Sequence, residues 1–184
     1  MIDTLKSIIG KQVNRLFLIV WPPFGESDAS QIDLSIGYVI EDAPNKLLVI
    51  STDKNDLTSP IVEHQPIPEK YFKWSEFDRR MQDWISCEEG MEIDTEYYDV
   101  SDVDVFQNII NQKVLDVELV KIVNNSPLGV KLIFDNDFIL STPTNDGNTI
   151  ETIFYNKNEN LKKFLPLGEI EYESLKPAIK NGLS

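Results

Sequence analysis

The sequence predicts a β-rich α+β fold: two related antiparallel β units share one core, and one amphipathic helix lies between them. Three observations carry this. Short apolar or alternating runs such as "RLFLIVW" and "KVLDVELVKI" recur, separated by turn residues. Two stretches resemble each other: "IIGKQV" from Ile8 matches "IINQKV" from Ile109, and "SIGYVIEDAPNKLLVISTDKND" from Ser35 aligns with "PLGVKLIFDNDFILSTPTND" from Pro127. One segment, Ser75 to Glu89, carries apolar residues at convincing helical spacing.

In order along the chain, a short helical turn (Asp3 to Ile9) precedes a strand from Gln12 to Trp21, and a β-hairpin follows the next loop. From Arg15 to Trp21 that strand is more uniformly apolar, as expected of a central strand. The second copy repeats the pattern with a turn over Val105 to Ile110, a strand from Lys113 to Val123 and a second hairpin. In "KVLDVELVKI", Val114, Asp116, Glu118 and Val120 share one face and Leu115, Val117, Leu119 and Lys121 the other. Gly37 falls on Gly129, Ser51–Thr52 on Ser141–Thr142 and Asp56 on Asp146, with the second hairpin turn two residues shorter. Asn136 supplies that turn, at a position expected to tolerate positive φ. Between the copies, Ser75 can cap a helix whose stripe is Phe77, Met81, Trp84 and Ile85, and Gly90 stops it. The tail reads as an edge strand and a frayed end. The pseudo-repeats span about 8–66 and 109–155 within a single domain 1–184. The connection is the helix 75–89 and an acidic segment 88–104.

Composition narrows function. The 184 residues are 41% hydrophobic, enough for a real core. A single cysteine, Cys87, allows no internal disulfide and suits a reducing compartment. The start "MIDTLKSIIGK" lacks the features of a secretory signal, and no apolar run approaches the roughly twenty residues that span a bilayer. A cytoplasmic protein without membrane contact is expected. The net charge is −14, and residues 75–104 alone contribute −9 of it. Phosphate binding needs clustered Lys and Arg, so a nucleic-acid ligand is not expected.

Chemistry-bearing motifs are missing. His64, in the Pro-rich "IVEHQPIPEK", reads as a surface loop residue. Cys87 has no further histidine to pair with. One Cys and one His cannot furnish four zinc ligands. "DTEYYDVSDVD" lacks the spacing of a calcium loop, and "TNDGNTIE" reads as a turn. The glycines are dispersed and form no phosphate-cradling loop. No pair among the 31 acids is singled out as an acid and nucleophile. No catalytic residue, metal or cofactor is assigned.

The acidic segment is the positive signal. Glu88, Glu89, Glu92, Asp94, Glu96, Asp99, Asp102 and Asp104 occur with no cation among them, and Tyr97 and Tyr98 sit in their midst. Glu92, Asp94 and Glu96 would share one face of a strand and hold their charges in a row. Tyrosines are rigid amphipathic anchors at interfaces. These ten residues are the expected partner-binding site for a basic protein. "WPPFGESDASQ", from Trp21, reads either as a packed strand end or as a second hydrophobic anchor through Trp21 and Phe24.

A small acidic chain without a catalytic set, carrying β segments like "IGKQV" and "LGVKLIFDNDFILSTP", resembles the immunity proteins of bacterial contact-dependent inhibition and other polymorphic toxin systems. The resemblance covers the two repeat regions. It implies tight binding to a cognate toxin without a cofactor, and it transfers no catalytic residues. Two other readings stay open: a regulatory or scaffold module for another basic protein, and an enzyme or ligand-binding protein using a cleft between the repeats.

Overall fold

Turn residues cut each half of the chain into four successive strands, and each set folds as an antiparallel meander. The computed structural model describes residues 1–21, 33–53, 56–86, 94–144, 147–156 and 159–177. The first half gives helix α1 (Ile2–Ser7) and strands β1 (Val13–Trp21), β2 (Asp33–Ile40), β3 (Lys46–Asp53) and β4 (Asp56–Pro66). The middle gives β5 (Phe72–Lys73), helix α2 (Phe77–Ile85) and β6 (Glu96–Asp99). The second half gives β7 (Asp116–Ile122), β8 (Pro127–Ile133), β9 (Phe138–Thr144), β10 (Gly147–Glu151) and β11 (Ile170–Ser174). One sheet has the order β4-β3-β2-β1-β6-β5, the other β10-β9-β8-β7-β11. Each unit therefore has four meander strands, one more than the three read from the sequence. His64 lies within β4, paired across to Leu48, and not in a loop.

The two units are related by a pseudo-twofold axis, visible in hydrogen bonds at the matched hexapeptides. Gln12 and Lys113, equivalent positions, bridge each other. The Gly10 N–H donates to the Val114 carbonyl and the Asn111 N–H to the Val13 carbonyl, both at 2.7 Å. The Val13 N–H donates to Gln112 and the Val114 N–H to Lys11. Gly10 and Asn111 both take the left-handed backbone this turn requires, with φ of 87° and 62°. Farther on, the sheets stack with β10 against β2 and β4 against β8, which is the same contact seen from each copy.

Both glycines lie on the second strand of their meander, Gly37 beside Phe17 and Val49, Gly129 beside Val120. The serine match does not hold. Ser141 pairs with Val130, one residue after Gly129, whereas Leu48 pairs with Tyr38, one after Gly37. Ser141 thus takes the place of Leu48, three residues before Ser51. The hairpin turns, 41–45 and 134–137, differ in length, so the alignment slips between them. Asn136 is not among the residues with positive φ.

One core lies between the sheets. Leu16, Leu18, Val20, Ile36, Tyr38 and Ile50 face Val117, Leu119, Val130, Leu132, Ile139 and Ile150 across it. The opposite face of the first sheet buries Phe17, Ile19, Val39, Leu47 and Val49 under Ile67 and Tyr97. That double burial explains why β1 is apolar at nearly every position. Helix α2 closes the core near β6, with Trp84 buried and Phe77 and Met81 packed against it. It begins after a 3₁₀ turn at Trp74–Glu76, and its N-cap is Glu76 rather than Ser75. The expected stop at Gly90 lies outside the described residues. Among the described residues no helix is long and apolar enough to cross a membrane.

Candidate functional site

Antiparallel pairing decides which strand ends share an edge. Trp21 at the end of β1 registers with Asp33 at the start of β2. Val20 registers with Glu96 of β6, which sets Asp94 and Thr95 at the same end. Asp53 registers with Asp56, so the close of β3 and the opening of β4 lie there too. The strand order β6-β1-β2-β3-β4 spreads Asp94, Trp21, Asp33, Asp53 and Asp56 along one rim. At about 4.8 Å per strand the rim runs roughly 19 Å. Trp21 stands in it with 56% of its surface exposed. Among the described residues this end also carries Lys70 and Arg80, which line a groove with Asp94, Phe72 and Tyr97.

The acidic segment is not the unneutralised block the sequence suggested. Glu96 is clamped by Arg80, with one contact of 2.7 Å from Nε and a closer one from the terminal nitrogen, and it accepts a 2.5 Å bond from the Tyr98 hydroxyl. Burial opposes its ionisation, but the bonds from Arg80 and Tyr98 outweigh that and hold its carboxyl below the ordinary range. Asp99 accepts from Arg15 at 2.6 and 3.2 Å and from the Ser101 hydroxyl and N–H at 2.5 and 3.0 Å. Here too burial is outweighed by those partners, and the carboxyl is held low. Arg15 comes from 84 residues away, outside the local charge count, and Arg80 reaches Glu96 from helix α2, a pairing that a count of charges does not show.

Tyr98 is fully buried, edge-on to Trp74 and Phe77. A side chain buried there cannot contact a partner as the sequence suggested. Neighbours on a strand point to opposite faces, so burying Tyr98 sends Tyr97 outward, over Ile19, with its hydroxyl accepting from Gln65. The row of Glu92, Asp94 and Glu96 is also corrected: β6 begins at Glu96, and Asp94 precedes it as an exposed residue bonded to the Thr95 N–H. Asp102 and Asp104 are exposed but follow β6, about 13 Å of strand away from Asp94. Glu88, Glu89, Glu92 and Cys87 lie outside the described residues, as does Phe24.

Of the ten expected contacts, the structure leaves Asp94 on the rim and brings it together with Trp21, which the sequence offered only as an alternative. Sequence reading missed Asp33, Asp53 and Asp56. Their signal is acids at the ends of adjacent meander strands, which pairing gathers on one edge. Among the described residues no group of three or more His, Cys, Asp or Glu is placed to hold a metal ion. Comparison with known proteins finds no family model, no curated protein and no solved structure that matches the chain.

Proposed function

We propose that this chain is an acidic binding protein that neutralises a basic protein, a nuclease-type toxin first among candidates, by covering its active site. One observation carries the reading: an exposed tryptophan stands at the end of a sheet where strand pairing gathers acidic residues, in a chain of net charge −14. A focused acidic field steers a cationic partner, and a large aromatic desolvates on contact and anchors it. Segment 87–93, whose sequence holds Glu88, Glu89 and Glu92, rejoins the described chain at Asp94, on this rim. Glu96, Tyr98 and Asp99 belong instead to the frame that carries the rim.

The test is binding kinetics against candidate basic domains over a salt series. Association should exceed the unsteered value of about 10⁵ to 10⁶ M⁻¹s⁻¹ and slow as salt rises. Neutralising Asp94 with Glu88, Glu89 and Glu92 should lower the on-rate. Trp21→Ala should raise the off-rate by about 2 kcal/mol. Unchanged rates in both variants would remove the rim from the interface. Binding that leaves the partner's catalysis intact would favour the scaffold reading over the inhibitor.

A further inference from the structure

We infer that the groove between the start of β4 and the β7–β8 hairpin receives an arginine side chain of the basic partner. The inference rests on the basic-partner reading above and assigns that partner a specific contact. The groove holds about 440 Å³, ample for one long side chain. Its lining is mixed: Ile122, Leu128, Phe164 and Leu167 supply apolar surface, and Asp56, Thr58 and Asn125 supply polar surface. Leu167 is 69% exposed and forms an apolar lip. Among the described residues no Lys, Arg or His lines the groove.

Asp56 is poised for a cation. Its Oδ2 accepts from the Ser59 hydroxyl at 2.6 Å, and its Oδ1 accepts from the Thr58 hydroxyl at 2.7 Å and the Thr58 N–H at 3.1 Å. These bonds fix the carboxylate's orientation and favour its ionised form, Ser59 foremost. Among the described residues no cation pairs with it.

The chain itself shows what an aromatic ring and a carboxylate hold here. Arg80 lies 3.7 Å over the Phe72 ring while Glu96 takes its guanidinium. Arg15 lies 4.7 Å over Phe17 and 5.0 Å over Tyr71 while Asp99 takes it. Asp56 and Phe164 line the same groove, so a carboxylate and a ring are both available there to a guanidinium. A planar guanidinium stacks on a ring and bonds a carboxylate together, whereas a lysine ammonium does neither as well. Arginine is therefore the side chain this lining selects.

The experiment titrates the full ¹⁵N-labelled chain with the capped tripeptide Gly-Arg-Gly and follows backbone amides. Matched peptides carry lysine, or citrulline as the neutral isostere. Saturable shifts at Thr58, Asn125, Leu128 and Leu167 are expected with arginine, several-fold weaker binding with lysine, and none with citrulline. Asp56→Asn should weaken the arginine peptide about tenfold. Because Asp56 also orders Thr58 and Ser59, Phe164→Leu is the second variant; it keeps an apolar wall and should reduce the preference for arginine over lysine. Citrulline binding as well as arginine, or no saturable shift in the groove, overturns the assignment. The salt-dependent binding of a basic partner through Trp21 and Asp94 is a separate readout. If it persists while the peptide fails, the groove assignment falls alone; if it too is absent, the basic-partner reading falls with it.

Discussion

Glu96, half-buried, and Glu151, fully buried, are carboxyls with opposite responses to pH. Glu96 is held low by Arg80 and Tyr98, so its contribution to stability is present above the unfolded carboxyl pKa of about 4.3 and is lost as pH falls through its folded value. Glu96→Gln should cost about 1 to 3 kcal/mol at pH 7, since it strands the Arg80 guanidinium, and should flatten the acid limb of stability in urea unfolding. Glu151 is fully buried on β10; its Oε1 accepts the Asn160 N–H at 2.9 Å, and among the described residues its other oxygen has no partner. Burial raises its pKa despite that bond. Its stabilising protonated form is intact below about pH 4.3, and stability falls as pH rises through the raised folded value. Glu151→Gln should match the wild type at pH 4 and exceed it by about 1 kcal/mol at pH 8. Equal pH profiles for the two proteins would show that Glu151 titrates normally.

At the scale of elements, the repeated hairpins keep the same glycine for different reasons. A Cβ on Gly129 would lie 2.7 Å from the Ser141 carbonyl oxygen and 2.8 Å from Thr142 Cγ2. A backbone carbonyl in a paired strand cannot move aside cheaply. A Cβ on Gly37 would meet the Leu47 side chain at 3.4 Å, an ordinary contact. Gly129→Ala should therefore destabilise by about 2 kcal/mol and Gly37→Ala by less than about 1 kcal/mol, measured by thermal unfolding. Similar costs at both sites would mean that β8 and β9 relax more freely than their spacing implies.

For the whole molecule, the core between the sheets takes residues from both units, and the Gln12–Lys113 bridge joins them. Neither sheet covers its inner face alone. Urea unfolding followed by tryptophan fluorescence and by far-ultraviolet circular dichroism should give one coincident transition. All three tryptophans lie in the first 84 residues, so a second half that unfolds separately would appear as a dichroism change without a fluorescence change.

Local pattern determined much of this protein. Turn residues and alternation marked most of the strands. The hexapeptides at Ile8 and Ile109 revealed the repeat, because a turn with left-handed backbone must keep Gly or Asn where it bends. The stripe of Phe77, Met81 and Trp84 identified α2. What sequence separation conceals, only the tertiary structure decided. Arg15 and Arg80 pair with Asp99 and Glu96 from 84 and 16 residues away, so the run of acids in 88–104 overstated the free charge at β6. Alternation along β6 makes one of two adjacent tyrosines core and the other outward, and only packing against α2 tells which. Strand pairing placed Trp21, Asp33, Asp53, Asp56 and Asp94 on one rim, since register, not proximity in sequence, decides which strand ends meet.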